Sequence, residues 1–452
     1  MKIDLLVGEI GSTTTVVNAF KLSKAPKFLG QGQAATTVLE GDVNIGLRDA
    51  IRSLEENIEA DSIEFHELIA TSSAAGGLRM TVHGLVYDMT VKAAKEAALG
   101  AGANIKDITA GRLRESDLER IKAINPNIIL LAGGVDYGER DTALYNARLI
   151  REMDLGIPII YAGNIQNSDE ISNIFKGSGN ELHLVDNVYP RIDELNVEPA
   201  RQVIQRVFEK HIVHAPGMER VRDMVTGPIM PTPGAVMEAS KLLHEDLGNL
   251  VSIDVGGATT DIHSVTDDSE DIGKILLNPE PKAKRTVEGD LGIFINMENI
   301  IGKIGRENLA ETLNIELERF ESLVNKNNPI PETGLEEDFA KVLAEYAVLT
   351  SMKRHAGQIK HIYGPSGKKT LAVGKDLTDV KNIIATGGPL TRLGGSVDVL
   401  KKIAGLGGNH LLPNQQAKLL VDTHYIMASA GVLARKYPEI GMELLKNSLK
   451  EE

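Results

Sequence analysis

Apolar residues in this chain come in short runs broken by glycine- and hydroxyl-rich turns. Residues 3–7 and 16–20 flank a polar Gly/Ser/Thr turn, which predicts a hairpin. Residues 42–57 switch to helical spacing through Ile45, Leu47, Ile51 and Leu54, with Asp42 as the expected N-cap. From about residue 66 the rhythm changes again. A strand over 68–70 ends in TSSAAGG at 71–77. NIILLA at 127–132 leads into Gly133–Gly134 and a helix over 142–153, and IPIIYA at 157–162 leads into Gly163. Strand, glycine turn, helix and strand predict a parallel α/β unit, so 66–190 reads as an inserted α/β subdomain. Residues 191–240 read as mostly helical, with proline-rich breaks.

The strand–turn–strand theme returns at 250–265. Helix follows over 289–325, a loop over 325–334 (NKNNPIPETG), and one long helix over 335–361. A hairpin around GPSGKK spans 361–373 and a buried strand spans 382–385. A helix near 396–404 and a small-residue helix over 423–436 close the pattern. The pattern predicts an α/β protein of two related lobes. Residues 1–65 form the first, 66–240 an α/β and helical insert, and 241–452 the second.

The lobes are related through an internal echo. LLVGEIGSTTTVVNAF at 5–20 and LVSIDVGGATTDIHSV at 250–265 share one plan: apolar strand, acid, glycine, hydroxyl residues, second apolar strand. Glycine lets backbone N–H groups approach a phosphate with no Cβ in the way. A turn of successive N–H groups makes a concavity for anions, and serine and threonine hydroxyls add donors. Gly11, Ser12, Thr13 and Thr14 in one turn, with Gly256, Gly257, Ala258, Thr259 and Thr260 in the other, are the candidate phosphate ligands. Glu9 and Asp254 would be repelled by phosphate, so their expected role is to hold Mg²⁺, through its waters. Asp261 is the candidate carboxylate that orients water. ATGGPL at 385–390 adds a buried strand and paired glycines. There Gly387, Gly388 and Pro389 would pack against adenine or ribose, making ATP the expected ligand. Glu288 and Asp290 either line the same cleft or sit in a solvated loop.

Composition removes several alternatives. At 452 residues the chain is too long for one core. It has no cysteine, which excludes disulfides and thiolate chemistry. A net charge of −14 argues against nucleic acid, and 4% aromatics with no tryptophan leave few stacking platforms. The opening MKIDLLVGEIG is too short an apolar stretch for a signal peptide, and no apolar window is long enough to span a membrane. A cytoplasmic location is the default expectation. His211 and His214 are three apart with no third ligand, which reads as structural. Ser72 and Ser73 have no local base to make either a nucleophile.

The two turns and ATGGPL resemble the phosphate-1, phosphate-2 and adenosine motifs of the actin, sugar kinase and heat-shock chaperone superfamily. MASAGVLA at 427–434 resembles its second connecting helix. More narrowly, EIGSTTT, ATSSAAGGLRM, LLAGGVDYGERDTALYNA, DVGGATTD, RTVEGDLG and ATGGPLTR, spread over nearly the whole chain, resemble the MutL/GlmL family that accompanies adenosylcobalamin-dependent mutases. This is not the mismatch-repair protein of the same name. The resemblance implies an actin-like ATPase fold. It also implies an ATP-dependent reactivating factor or chaperone for a glutamate mutase or aminomutase type of enzyme, exchanging damaged cobalamin. Mutase subunits are then the implied partners, and a homodimer is compatible with this reading. One departure stands out: many superfamily members carry aspartate in the first turn, where this chain has Glu9, which puts hydrolysis in question. The other readings are a small-molecule kinase, a hydantoinase- or oxoprolinase-like hydrolase, and a nucleotide-bound scaffold without turnover.

Overall fold

The computed structural model describes the whole chain except residues 75, 76, 213–216, 327, 365, 366 and 452. The first lobe opens with an antiparallel meander of β1 (Lys2–Ile10), β2 (Thr14–Lys21) and β3 (Lys27–Ala35). The helix Val43–Asn57 follows. Asp42 caps it by accepting from the Asn44 amide at 2.9 Å, as the sequence predicts. Leu47 and Leu54 are buried, but Ile45 is exposed. β4 (Glu64–Ser72) then pairs parallel with β1. The strand expected to open the insert therefore belongs to the first lobe.

The insert begins after β4. Its strands β5 (Leu78–Gly84), β6 (Ala103–Ala110), β7 (Ile128–Leu131), β8 (Ile159–Tyr161) and β9 (Leu182–Leu184) form one parallel sheet in the order β6-β5-β7-β8-β9. Helices such as Asp141–Met153 connect them. The predicted parallel α/β unit is thus present, and the glycine turns after β7 and β8 fall where the pattern puts them. The chain then returns to the first sheet through a three-residue strand, β10 (Ile229–Pro231), parallel to β4. A run this short among prolines carries no periodicity, so the pattern reads it as part of a helical region.

The second lobe repeats the first. β11 (Leu250–Val255), β12 (Thr260–Val265) and β13 (Ala283–Glu288) form the meander. β14 (Gln358–Gly364) and β15 (Gly367–Val373) form a separate hairpin, while β16 (Asn382–Thr386) and β17 (Lys418–Asp422) add parallel strands beside β11. β18 (Leu449–Glu451) closes the edge. The two sheets read β10-β4-β1-β2-β3 and β13-β12-β11-β16-β17-β18. Read from β3 to β10, the five strands of the first sheet match the first five of the second in order, with β18 an addition; this repeated topology is the actin-like, ribonuclease H-like fold.

Three helical expectations change at their ends. The long helix is Gly334–His355; residues 358–361, read as its last turn, pair instead with β15, because a cross-strand partner outweighs local helical spacing. Residues 289–325 hold the helices Met297–Ile304 and Arg306–Thr312 and most of Leu317–Lys326, with turns before and between. The small-residue helix is Met427–Ala434, because the Asp422 carboxylate accepts from the Ile426 and Met427 amides and fixes the start.

The lobes meet at two helices, Thr232–Leu247 and Met427–Ala434. Side chains from both, with Leu5 and Val7 of the first sheet and Leu250 and Ile384 of the second, share one core. Gly431 makes the crossing tight: a Cβ there would lie 1.9 Å from the Ala235 carbonyl oxygen. No helix among the described residues is long and apolar enough to cross a membrane.

Candidate functional site

The paired turns face each other across a cleft of about 550 Å³, within the range of small-molecule sites. Their backbones are closed by the same bond: Gly11 N–H donates to Thr14 O at 3.0 Å, and Gly256 N–H to Thr259 O at 2.9 Å. They also approach each other closely, since a Cβ on Gly257 would come within 2.9 Å of Thr13 Oγ1. Gly11, Ser12, Thr13 and Thr14 line the cleft on one side. Gly256, Gly257, Ala258 and Thr259 line it on the other, and Gly388 and Pro389 at one end.

Glu9 and Asp254 hold equivalent places, two residues before the closing glycine amide. Glu9 is buried and Asp254 half-buried, and both carboxyls are pushed up to about 7. For Glu9 the main cause is burial, offset by hydrogen bonds to one carboxylate oxygen: Ser429 Oγ donates at 2.6 Å, Ser429 N–H at 3.1 Å and Asn18 Nδ2 at 3.2 Å. For Asp254 burial again leads, followed by repulsion from Asp261 and Glu9. Among the described residues its carboxylate has no hydrogen-bond or ion-pair partner. Two carboxyls that repel each other across a cleft are a donor set that fits a cation, because a cation between them removes the repulsion. Among the described residues no three His, Asp or Glu side chains are grouped to ligate a metal directly.

Asp261 is held differently. Arg285 donates to one of its oxygens from Nε at 2.9 Å and Nη2 at 2.5 Å, and Thr259 Oγ1 donates to the other at 2.9 Å. Three further candidates depart from their expected places. The Thr260 hydroxyl is buried and donates to Leu291 O at 2.8 Å, so it does not line the cleft. Glu288 accepts from Arg354 at 2.6 Å beside Asp290, and its carboxyl is raised chiefly by burial; it too is absent from the lining. Gly387 sits at a φ of 87°, where a Cβ would lie 2.4 Å from Val255 O and 2.7 Å from Asp254 Oδ1. The close approach of the acid-bearing strand requires glycine here. Ser72 and Ser73 line the cleft, and Ser12 Oγ donates to Ser73 O at 3.1 Å. His214 and the side chain of His211 lie outside the described residues.

Several contributors carry no local sequence signal. Arg392 lies over the Tyr425 ring, 5.6 Å from its centroid, and donates to Gln31 of the first lobe. Gln31 donates to Asn18 Oδ1 at 2.6 Å, and Asn18 to Glu9. A continuous chain of donors thus runs from the second lobe to the first-lobe acid. Arg392 and Glu9, its two ends, are 383 positions apart in the sequence (392 − 9), so no window of sequence contains the chain. Arg285 opens the RTVEGDLG stretch, which stood out only by resemblance.

The fold and the cleft define a bilobal actin-like protein with a cleft of about 550 Å³ between its paired turns. The family described as MutL protein matches residues 5–449, and the chain belongs to that family. It is 37% identical to "Protein MutL" of Clostridium tetanomorphum over 468 aligned positions, covering 98% of both chains. Among solved structures it is similar to nucleotide-free acetone carboxylase, with 12% identity, 96% of this chain, 70% of the other and a TM-score of 0.43. It is also similar to the nucleotide-free diol dehydratase-reactivating factor, with 10% identity, 97% and 100% coverage and a TM-score of 0.39.

Proposed function

We propose that the cleft binds ATP with magnesium, and that lobe motion driven by this binding serves an adenosylcobalamin-dependent mutase as a reactivating factor. The observation that carries the nucleotide reading is the pair of matched glycine–hydroxyl turns, each with an acid two residues before its closing glycine amide, lining one cleft. The turn amides and the Thr13 and Thr14 hydroxyls are the phosphate donors, and the Ser12 hydroxyl joins them by giving up its bond to Ser73 O. Glu9 and Asp254 are the groups that would hold hydrated magnesium, which shields phosphate charge when bound. Asp254 has no competing partner and a carboxyl near neutrality, which suits it to take a proton from an attacking water. The role toward a mutase rests on membership of the family and on what the motif resemblance implies for it.

The test is a reactivation assay. A candidate mutase is inactivated with hydroxocobalamin, and this protein, ATP, magnesium and fresh coenzyme are added. Recovery that requires all four supports the reading. No recovery with any adenosylcobalamin mutase of the host would sink the mutase role, and phosphorylation of a small molecule in the same mixture would replace it with kinase activity.

A further inference from the structure

The insert has its own parallel sheet, yet Gly102, Asn104 and Lys106 line the cleft of the two lobes. Asn104 and Lys106 both reach the cleft from β6, which bulges at Lys106: Ile105 pairs with Met80 and Asp107 with Thr81, leaving Lys106 without a cross-strand partner. The start of that strand is held by Arg285. Besides gripping Asp261, its guanidinium donates to Leu99 O at 3.2 Å and Ala103 O at 2.9 Å, both in the insert. The side chain is 2% exposed. Arg201 Nη2 donating to Ala283 O at 2.6 Å and Lys92 paired with Glu280 at 2.6 Å fasten the same seam between insert and second lobe. The strand carrying Lys106 is therefore fixed relative to the acids of the cleft floor.

The cations of the cleft are unequal. Arg285 is engaged with Asp261. Lys326 pairs with Glu336 at 2.5 Å, and Arg392 donates to Gln31 over the Tyr425 ring. Lys106 is exposed and, among the described residues, has no hydrogen bond or ion pair. An unpaired lysine lining the same cleft as Glu9 and Asp254 leaves room for alternating charge: carboxylate, cation, phosphate, ammonium.

We propose that Lys106 is a ligand of the terminal phosphate of a bound nucleoside triphosphate, so that the insert reads whether the cleft holds triphosphate or diphosphate. This rests on the nucleotide reading above. Loss of Lys106 weakens the triphosphate selectively. Arg285 carries the change to the helix Lys92–Gly100 through the two carbonyls it binds.

Calorimetry with AMPPNP and with ADP, each with magnesium, tests this on the wild type, Lys106→Met and Lys106→Arg. Lys106→Met is expected to weaken AMPPNP about tenfold or more and ADP less than about twofold, while Lys106→Arg keeps most of the AMPPNP affinity. Hydrogen exchange in residues 92–100 is expected to slow with AMPPNP in the wild type and not in Lys106→Met. Unchanged binding of both nucleotides by Lys106→Met, or equal loss of both, overturns the assignment of Lys106 and leaves the cleft's nucleotide reading standing. A wild type that binds neither nucleotide overturns both.

Discussion

In the first lobe Glu9 faces Val16 across the β1–β2 ladder; in the second, Asp254 faces Asp261 across β11–β12. The backbones are alike, but the electrostatics are not. Glu9 is surrounded by donors from Ser429 and Asn18, so its charge is met by fixed dipoles. Asp254 has a second carboxylate opposite, and that one is neutralised by Arg285 rather than by anything reaching Asp254. The two turns thus carry a braced acid, held by the helix Met427–Ala434, and an unbraced one, and both line the cleft. The Glu9 carboxylate meets both the hydroxyl and the amide of Ser429 on the helix Met427–Ala434.

This difference predicts unequal consequences at the two acids. Asp254→Ala is expected to abolish ATP turnover, a loss of about a thousandfold, because it removes a charged group acting in a water-poor site. Glu9→Gln, which preserves the shape and part of the hydrogen bonding of the braced acid, is expected to cost about tenfold. Equal losses in a steady-state ATPase assay would erase the distinction.

The positions opposite the acids should separate next. Asp261→Asn leaves the buried Arg285 without its counter-charge and is expected to cost about 3–5 kcal/mol in chemical unfolding. Val16→Ala removes only two methyls from a packed position and should cost about 2 kcal/mol. A smaller loss at Asp261 than at Val16 would show that Arg285 is satisfied by the insert carbonyls alone.

Both acids titrate near 7 when folded, against ordinary values of 4.5 and 3.8. The folded protein therefore holds more protons than the unfolded one between those limits. The stability these groups contribute is fully present below about pH 4 and is lost as pH rises through 7. A cation at the site opposes that loss. Magnesium nucleotide should raise the melting temperature more at pH 7.5 than at pH 5.5, with proton release on binding. A shift independent of pH would place the cation away from both acids.

The smallest effect is expected at Arg354, which pairs with Glu288 and Asp290 beside the second turn while 40% exposed. Arg354→Ala should cost about 0–1 kcal/mol and leave nucleotide affinity within about twofold. A large loss of affinity would return Glu288 to the cleft.

Both turns were legible from sequence because hydrogen bonding within a hairpin is local: acid, glycine and hydroxyls lie within seven residues of one another. The first-lobe sheet was less so. β3 (KFLGQGQAA) is half polar and glycine-rich, and β10 is three residues long, so neither has a periodicity to read. β4 was visible as a strand but not as a neighbour of β1, because parallel pairing leaves no mark in either strand.

The chain by itself determined that two acidic glycine–hydroxyl turns exist, that they are copies, and that a parallel α/β unit lies between them. Only the tertiary structure decided that Thr260 and Glu288 turn to other partners, that Gly387 serves the acid strand, and that Lys106 stands at the cleft. The reason is physical. A hairpin's shape follows from neighbours in sequence, whereas a side chain's environment follows from whatever the fold brings to it. Arg285, facing Asp261 and two carbonyls of the insert, has its meaning set wholly by that second kind of contact.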